Sequence, residues 1–271
     1  MATSSKPKVL FVLTSHNKLG DTGKPTGWYL PEMAHPYHLL KPYVSITVAS
    51  PAGGEAPLDQ NSVEAFKNDE ISTDFLKNEE AAYKDTQKLS AFVGHASEFD
   101  AIFFVGGHGP MFDLVNDEIS KALTTEFYEA GKVVAAVCHG PAALLNVKLS
   151  NGEYLLQDQP VTAFSNAEED SVDLSKHMPF MLETELINRG AKYEKAAEPW
   201  GEKVCIGRGG RLITGQNPAS AGPLGEEIKK ALKLALRGSY VLEGHDNIAS
   251  NLCFITFIPF YVLHRFGGQR V

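Results

Sequence analysis

The 271-residue chain is poor in cysteine, with Cys138, Cys205 and Cys253 only. An odd number with no paired spacing excludes a disulfide framework and a zinc-finger-type site, and such usage suits a reducing compartment. Blocks of basic residues are missing too. The formal net charge is −8, from 25 Lys plus Arg against 33 Asp plus Glu, so no patch stands ready to neutralise nucleic-acid phosphates. No apolar stretch reaches the ~20 residues of a membrane-spanning helix. The longest, residues 252–263, contains Pro259 and has only His264, Arg265 and Arg270 as nearby basic groups, so an interfacial anchor and packing onto the domain or a partner stand as alternatives to a tail unconnected with function. Residues 1–8 carry no apolar signal-peptide core. Together these absences point to a cytoplasmic globular protein, and the 43% hydrophobic and 21% charged composition is ordinary for one.

What is present is a series of short, continuous apolar runs at 8–14, 99–105 and 133–137, each reading as a buried parallel strand. Residues 44–50 alternate like a further strand. Helical patterns follow at 31–40, at 118–130 behind Asn116 or Asp117 as cap and ahead of Gly131, at 176–188, and from Pro218 to about Leu236. Residues 55–90 read as a polar surface excursion with short helices. Asn151-Gly152 signals a two-residue hairpin between strands at 147–149 and 154–156. Residues 161–164 read as another strand, and 204–207 with 211–214 as a final strand pair. Alternating strands and helices predict an α/β fold, a mostly parallel sheet with helices on both faces. Ligands of such sheets bind beyond the carboxyl ends of the strands. That rule brings Glu32, Gly106-Gly107 and Cys138 into one crevice.

The chemistry concentrates at Cys138. An apolar strand ending in Cys138-His139-Gly140-Pro141 reads as a nucleophile elbow, with the sulfur at the start of a small-residue helix whose positive end would favour the thiolate. His139 is the neighbouring base. Glu168 or Glu169, after the next strand, can orient it through Nδ1. Glu32, among Trp28, Leu30 and Met33, is placed for burial and hence for a raised pKa, which suits a proton donor. Gly106 and Gly107 offer unobstructed backbone N–H groups for an oxyanion. His16, His35, His38 and His108 show no metal-ligand spacing, and Gly106-Gly-His-Gly lacks the lysine and spacing of nucleotide-binding loops. No metal or cofactor is expected.

With Glu32, the PEMAHP segment at 31–36, GGHGP at 106–110, AVCHGP at 136–141, TAFSNAEE at 162–169 and TGQNPAS at 214–220, the chain resembles the PfpI superfamily of class I glutamine amidotransferase-like proteins. It is most similar to the fungal branch of heat-inducible chaperones and glutathione-independent glyoxalases (glyoxalase III). The resemblance spans residues 6–236. It implies a flavodoxin-like sandwich, usually a homodimer, with Cys138 as nucleophile, His139 beside it, Glu169 in the acidic position and Glu32 as acid–base partner. The implied activity is a cofactor-free lyase (D-lactate dehydratase) turning a small dicarbonyl, methylglyoxal, into lactate, with the oxyanion on the N–H groups of Gly107 and His139. The alternative is a stress-inducible holdase for unfolded clients, or a redox sensor using the same oxidisable cysteine. One domain is expected over 1–237, followed by an extension at 238–271 of unassigned role.

Overall fold

The computed structural model describes residues 6–234, so the apolar stretch at 252–263 and the extension from 238 lie outside the described residues. Strand β1 (Lys8–Val12) leads through a long loop to helix α1 (Leu30–Leu40) and β2 (Ser45–Ser50). The segment to β3 (Gln87–Lys88) carries α2 (Gln60–Ala65), α3 (Glu70–Asn78) and α4 (Ala81–Lys84). Then come β4 (Ala101–Phe104), α5 (Glu118–Glu129), β5 (Val133–Val137), β6 (Pro160–Val161), α6 (Asn166–Ser171), α7 (Leu182–Asn188), β7 (Lys192–Tyr193), β8 (Val204–Gly207), β9 (Leu212–Gly215) and α8 (Ala221–Ala231). Seven strands form one sheet in the order β3-β2-β1-β4-β5-β9-β8. All neighbours are parallel except β8 against β9.

The three central strands are apolar on both faces because both faces are covered. Along β1, Leu10 and Val12 point into one core with Ile102, Phe104, Val134 and Ala136, closed by Leu123 and Phe127 of α5 and Leu182 and Leu186 of α7. Val9 and Phe11 point into the other with Phe103 and Ala135, closed by Met33 of α1 and Leu224 and Ile228 of α8. This period-two division between two helical layers is what a doubly covered parallel sheet requires. The flavodoxin-like sandwich follows. Among the described residues, no helix is long and apolar enough to cross a membrane.

Four local expectations are corrected. The two-residue Asn151-Gly152 turn does not form: Gly152 N–H donates to Leu149 O (2.9 Å), which centres the turn on Ser150-Asn151, and only a single antiparallel bridge, Lys148 to Tyr154, backs it; the Tyr154 ring stacks instead on Arg189, 4.7 Å from the guanidinium. The strand expected over 161–164 is cut to two residues that pair with β7 outside the main sheet, and Thr162 N–H donates to the Thr214 hydroxyl (3.0 Å) rather than to a ladder. The helix expected over 176–188 is split, with a short 3-10 turn before α7. Pro179 explains the split, since it drives the preceding residue out of the helical region, and Met178 is extended at φ −81°, ψ 145°. Finally, the 55–90 segment is no mere surface excursion. Phe75 and Tyr83 pack into the core beside Trp28, and the Trp28 indole N–H donates to Ala56 O (3.1 Å).

Candidate active site

β5 ends at Val137, and the chain turns at Cys138 through φ 61°, a left-handed conformation that costs a non-glycine residue of order 1–3 kcal/mol. Neighbouring strands hold it there. Cys138 N–H donates to Gly215 O (2.9 Å), and Phe164 N–H donates to Cys138 O (2.9 Å). Gly140 completes the turn because a Cβ there would lie 2.5 Å from Phe104 O. The helix that follows is a 3-10 segment of five residues, Gly140–Leu144. A long helix dipole favouring the thiolate is therefore not what the chain builds. Cys138 is 4% exposed, burial pushes its thiol well above the ordinary range, and any negative charge on Glu32 pushes it further. Burial thus favours the protonated thiol.

Glu32 stands in the first turn of α1, with Pro31 beside it to open the helix. Its side chain is fully buried, and neither oxygen meets hydrogen-bond geometry with a protein group. Burial raises its pKa well above the carboxylate range. Cys138 and the backbone N–H groups of Gly107 and Gly106 face it and soften that effect without reversing it. Glu32 is thus a neutral acid, able to donate toward the sulfur, and while it stays neutral its charge no longer holds the thiol up.

Gly106 makes this approach possible. A Cβ at 106 would meet Glu32 Oε2 first, then Val137 O at 2.5 Å and Cys138 Cβ at 2.8 Å. Gly107 is at φ +90°, open to glycine and strained for other residues. Cys138 N–H is spent on Gly215. Among the described residues, the N–H groups of Gly107 and His139 donate to no backbone carbonyl, and Gly107 N–H faces the sulfur.

On the other side of the sulfur, His139 Nδ1 lies 3.4 Å from Cys138 Sγ, and His139 Nε2 lies 2.6 Å from Glu169 Oε2. The carboxyl group therefore meets Nε2 and the thiol meets Nδ1, the reverse of the arrangement expected from sequence. Glu169 is held far below the carboxylate range by its two histidine neighbours, which overcome its burial. A carboxylate only accepts, so Nε2 carries the imidazole proton and Nδ1 keeps its lone pair for the thiol. Burial and the adjacent His108 also lower His139's pKa. The ring is held toward its neutral form and presents Nδ1 to the sulfur.

Glu168 points elsewhere. Ser165 caps α6, and Glu168 completes its capping box. Glu168 Oε1 then accepts from Trp200 N–H (2.9 Å), Gln216 Nε2 (3.0 Å) and Asn217 Nδ2 (2.8 Å). His35 pairs with Asp69 (2.8 Å), and neither His35, His38 nor His16 lines the cavity that holds Cys138. That cavity encloses about 530 Å³ and is walled by Tyr29, Phe164, Leu174 and Trp200 among others.

Residues 58–231 match the DJ-1/PfpI family. The chain belongs to the DJ-1/PfpI family. Within it, the chain is 31% identical over 240 residues to Glyoxalase 3 of Candida albicans, spanning 83% of this chain and 98% of that one. It is likewise 31% identical over 223 residues to the glutathione-independent glyoxalase HSP31 of Saccharomyces cerevisiae, spanning 79% and 93%. The crystal structure of C. albicans glyoxalase III superposes with a TM-score of 0.73 at 31% identity, covering 83% and 97%. That of the Rapid Encystment Protein of Francisella tularensis gives 0.78 at 38%, covering 83% and 99%.

The structure adds His108 to this DJ-1/PfpI site, a residue that the sequence pattern does not single out. His108 Nε2 lies 2.9 Å from Glu169 Oε1, and its ring packs 4.3 Å from that of His139. Glu169 thus bridges two imidazoles. A histidine inside the glycine-rich turn after β4 was the available signal, since that turn lies at the carboxyl edge of the sheet. His108, His139 and Glu169 also offer ligand atoms within 4.8 Å of one another, which is metal-binding spacing that three distant sequence positions could not reveal. In the arrangement present, Glu169 takes an N–H from each ring, so those atoms serve one another.

Proposed function

We propose that this chain is a glutathione-independent glyoxalase that converts methylglyoxal and water to lactate without a cofactor. The observation that carries the reading is the single line from Cys138 Sγ to His139 Nδ1 (3.4 Å) and from His139 Nε2 to Glu169 (2.6 Å), with a neutral Glu32 on the sulfur's other side. The glyoxalase names of the fungal relatives agree with it.

In this reading Cys138 attacks the aldehyde carbon as its proton passes to His139 Nδ1, and Glu169 steadies the imidazolium. The developing oxyanion lies on the N–H groups of Gly107 and His139 and takes up a proton to give a hemithioacetal. The C1 hydrogen then leaves as a proton and C2 gains one, by way of Glu32 or His139 through an enediol. C1 is oxidised to a thioester as C2 is reduced to an alcohol, so no external oxidant is needed. Water cleaves the thioester, releasing lactate and the thiol. A homodimer and a cytoplasmic setting belong to the same proposal on the family resemblance, and a solution mass of twice the chain's tests the former.

The test is lactate formation from methylglyoxal, without glutathione or added metal, by the wild type, Cys138→Ala and Glu32→Gln. Activity in the wild type alone supports the reading. A folded Cys138→Ala protein with full turnover ends it. Wild-type inactivity, with suppression of client aggregation that survives Cys138→Ala, transfers the assignment to a holdase.

A further inference from the structure

Methylglyoxal carries only a methyl group beside its two carbonyls, and the cavity is far larger than such a molecule needs. At about 530 Å³, it falls among pockets that enclose drug-sized ligands, about 300–1,000 Å³. Its apolar lining gathers on one side chain that the proposed chemistry does not use. Trp200 lines the cavity while 44% exposed, and its ring meets Phe164 edge-on at 5.4 Å. Phe164 in turn lies 4.5 Å from the His139 ring. An aromatic wall therefore runs from the His139 ring outward to solvent, and Leu174 and Val172 line the same cavity.

The backbone at Trp200 shows that this placement is imposed. Trp200 sits at φ 65°, a genuine outlier for a bulky residue, and strain of this kind persists only where the surroundings over-determine it. Here the determinant is Glu168, which accepts Trp200 N–H (2.9 Å) while it is clamped by Ser165, Gln216 and Asn217. Polar groups also line the cavity, but Asp59 is committed to capping α2 through Asn61 N–H (2.9 Å). Lys24, Gln60 and Asn61 line the cavity as well, whereas the aromatic side chains form the part of the lining that Glu168 and the Phe164–Trp200 contact hold in place.

We propose that the physiological substrate is a 2-oxoaldehyde bearing a bulky apolar, aromatic substituent, with Trp200, Phe164, Leu174 and Val172 holding that substituent and Glu168 positioning Trp200. This rests on the glyoxalase reading and extends it. Phenylglyoxal would follow the same steps: sulfur adds to the aldehyde carbon, C1 loses a proton and C2 gains one, and water hydrolyses the thioester to mandelate.

The experiment compares kcat/KM for methylglyoxal, an isopropyl-substituted 2-oxoaldehyde, phenylglyoxal and a hydroxylated, sugar-derived 2-oxoaldehyde, in the wild type, Trp200→Ala and Val172→Asp. One methylene in an apolar pocket is worth about 10–200-fold, so phenylglyoxal should exceed methylglyoxal by at least about tenfold. Both variants should lower that ratio by about as much. Taking the ratio between proteins cancels the aldehydes' intrinsic reactivities, and Val172→Asp keeps the test open if Trp200→Ala fails to fold. Turnover of methylglyoxal with no gain for larger apolar substituents, a ratio unmoved in both variants, or preference for the hydroxylated substrate overturns this proposal while leaving the glyoxalase reading intact. Failure on every 2-oxoaldehyde overturns both.

Discussion

Gly106→Ala separates two roles that one glycine can play. If Gly106 served only as an N–H donor to an oxyanion, alanine would be harmless, because it keeps that N–H. Its φ lies outside the left-handed region, since Gly106 is not among the positive-φ residues, so alanine adds no backbone strain. What it adds is a Cβ that would collide with Glu32 Oε2 and stand 2.5 Å from Val137 O and 2.8 Å from Cys138 Cβ. Val137 belongs to a fully buried central strand and cannot give way. The Glu32 side chain, as the soft partner, must swing off the sulfur, and the backbone at 106 must also shift to clear Val137 O and Cys138 Cβ.

Such overpacking costs about 1–3 kcal/mol, with a melting shift of about 2–4 °C for each kcal/mol in a chain of this size. A displacement of about 1 Å at a reacting group costs about 10²-fold in rate. The expected outcome is a folded protein whose kcat/KM for 2-oxoaldehyde conversion falls about a hundredfold. Gly131→Ala is the control. It forces alanine to φ 78° in open space after α5, costing about 1–2 kcal/mol but leaving activity unchanged. If Gly106→Ala matches the wild type in activity, the close approach of Glu32 to Cys138 is irrelevant to turnover and the argument for Glu32 collapses.

Glu169→Gln should cut kcat by about 10²–10⁴-fold, the span of a lost acid–base contribution, and single-turnover kinetics should place the loss in the chemical steps. His139's lowered pKa means its neutral form persists below the ordinary 6.5, so the acid limb of kcat/KM should fall below pH 6.5; a limb above it refutes the neutral-base assignment. Glu32's raised pKa gives stability that is complete below its unfolded value and is lost as pH rises toward the folded one. Calorimetry of Glu32→Gln should therefore show a melting advantage over the wild type that grows from pH 5 to pH 8, and a constant difference would mean that the buried carboxyl does not hold its proton. His108→Ala removes the second N–H on Glu169 and the imidazole that helps to lower His139, so the acid limb should move upward as kcat falls; loss of kcat with an unmoved limb would mark His108 as packing only.

The sheet was legible because its central strands announce themselves by composition. Runs such as Phe103-Phe104-Val105 and Val133–Val137 have no polar face to mislead. Misreadings fell where tertiary contacts displace local preference. Residues 161–164 have strand character, yet Thr162 is claimed by the Thr214 hydroxyl. Residues 176–188 have helical periodicity, but Pro179 forbids a continuous helix. Residues 55–90 look like surface because their composition is polar, while the few apolar members, Phe75 and Tyr83, enter the core.

At the site, residue types were readable and their charge states were not. A cysteine at an elbow suggests a thiolate only if the helix behind it is long and water is near; a five-residue 3-10 turn and near-complete burial supply neither. Burial favours the thiol and the neutral imidazole, and in the proposed mechanism the proton therefore moves during attack rather than before it. The acidic pair could have been separated from sequence alone. Ser165-Asn-Ala-Glu168 is a capping-box pattern, which commits Glu168 to the helix start. Successive residues on a helix point about 100° apart, so Glu169 must face another way. One carboxylate reaches His139 and the other fixes Trp200. Two adjacent acids thus tie the reacting sulfur's base and the far wall of the cavity to the same helical turn, and any shift of α6 must move both.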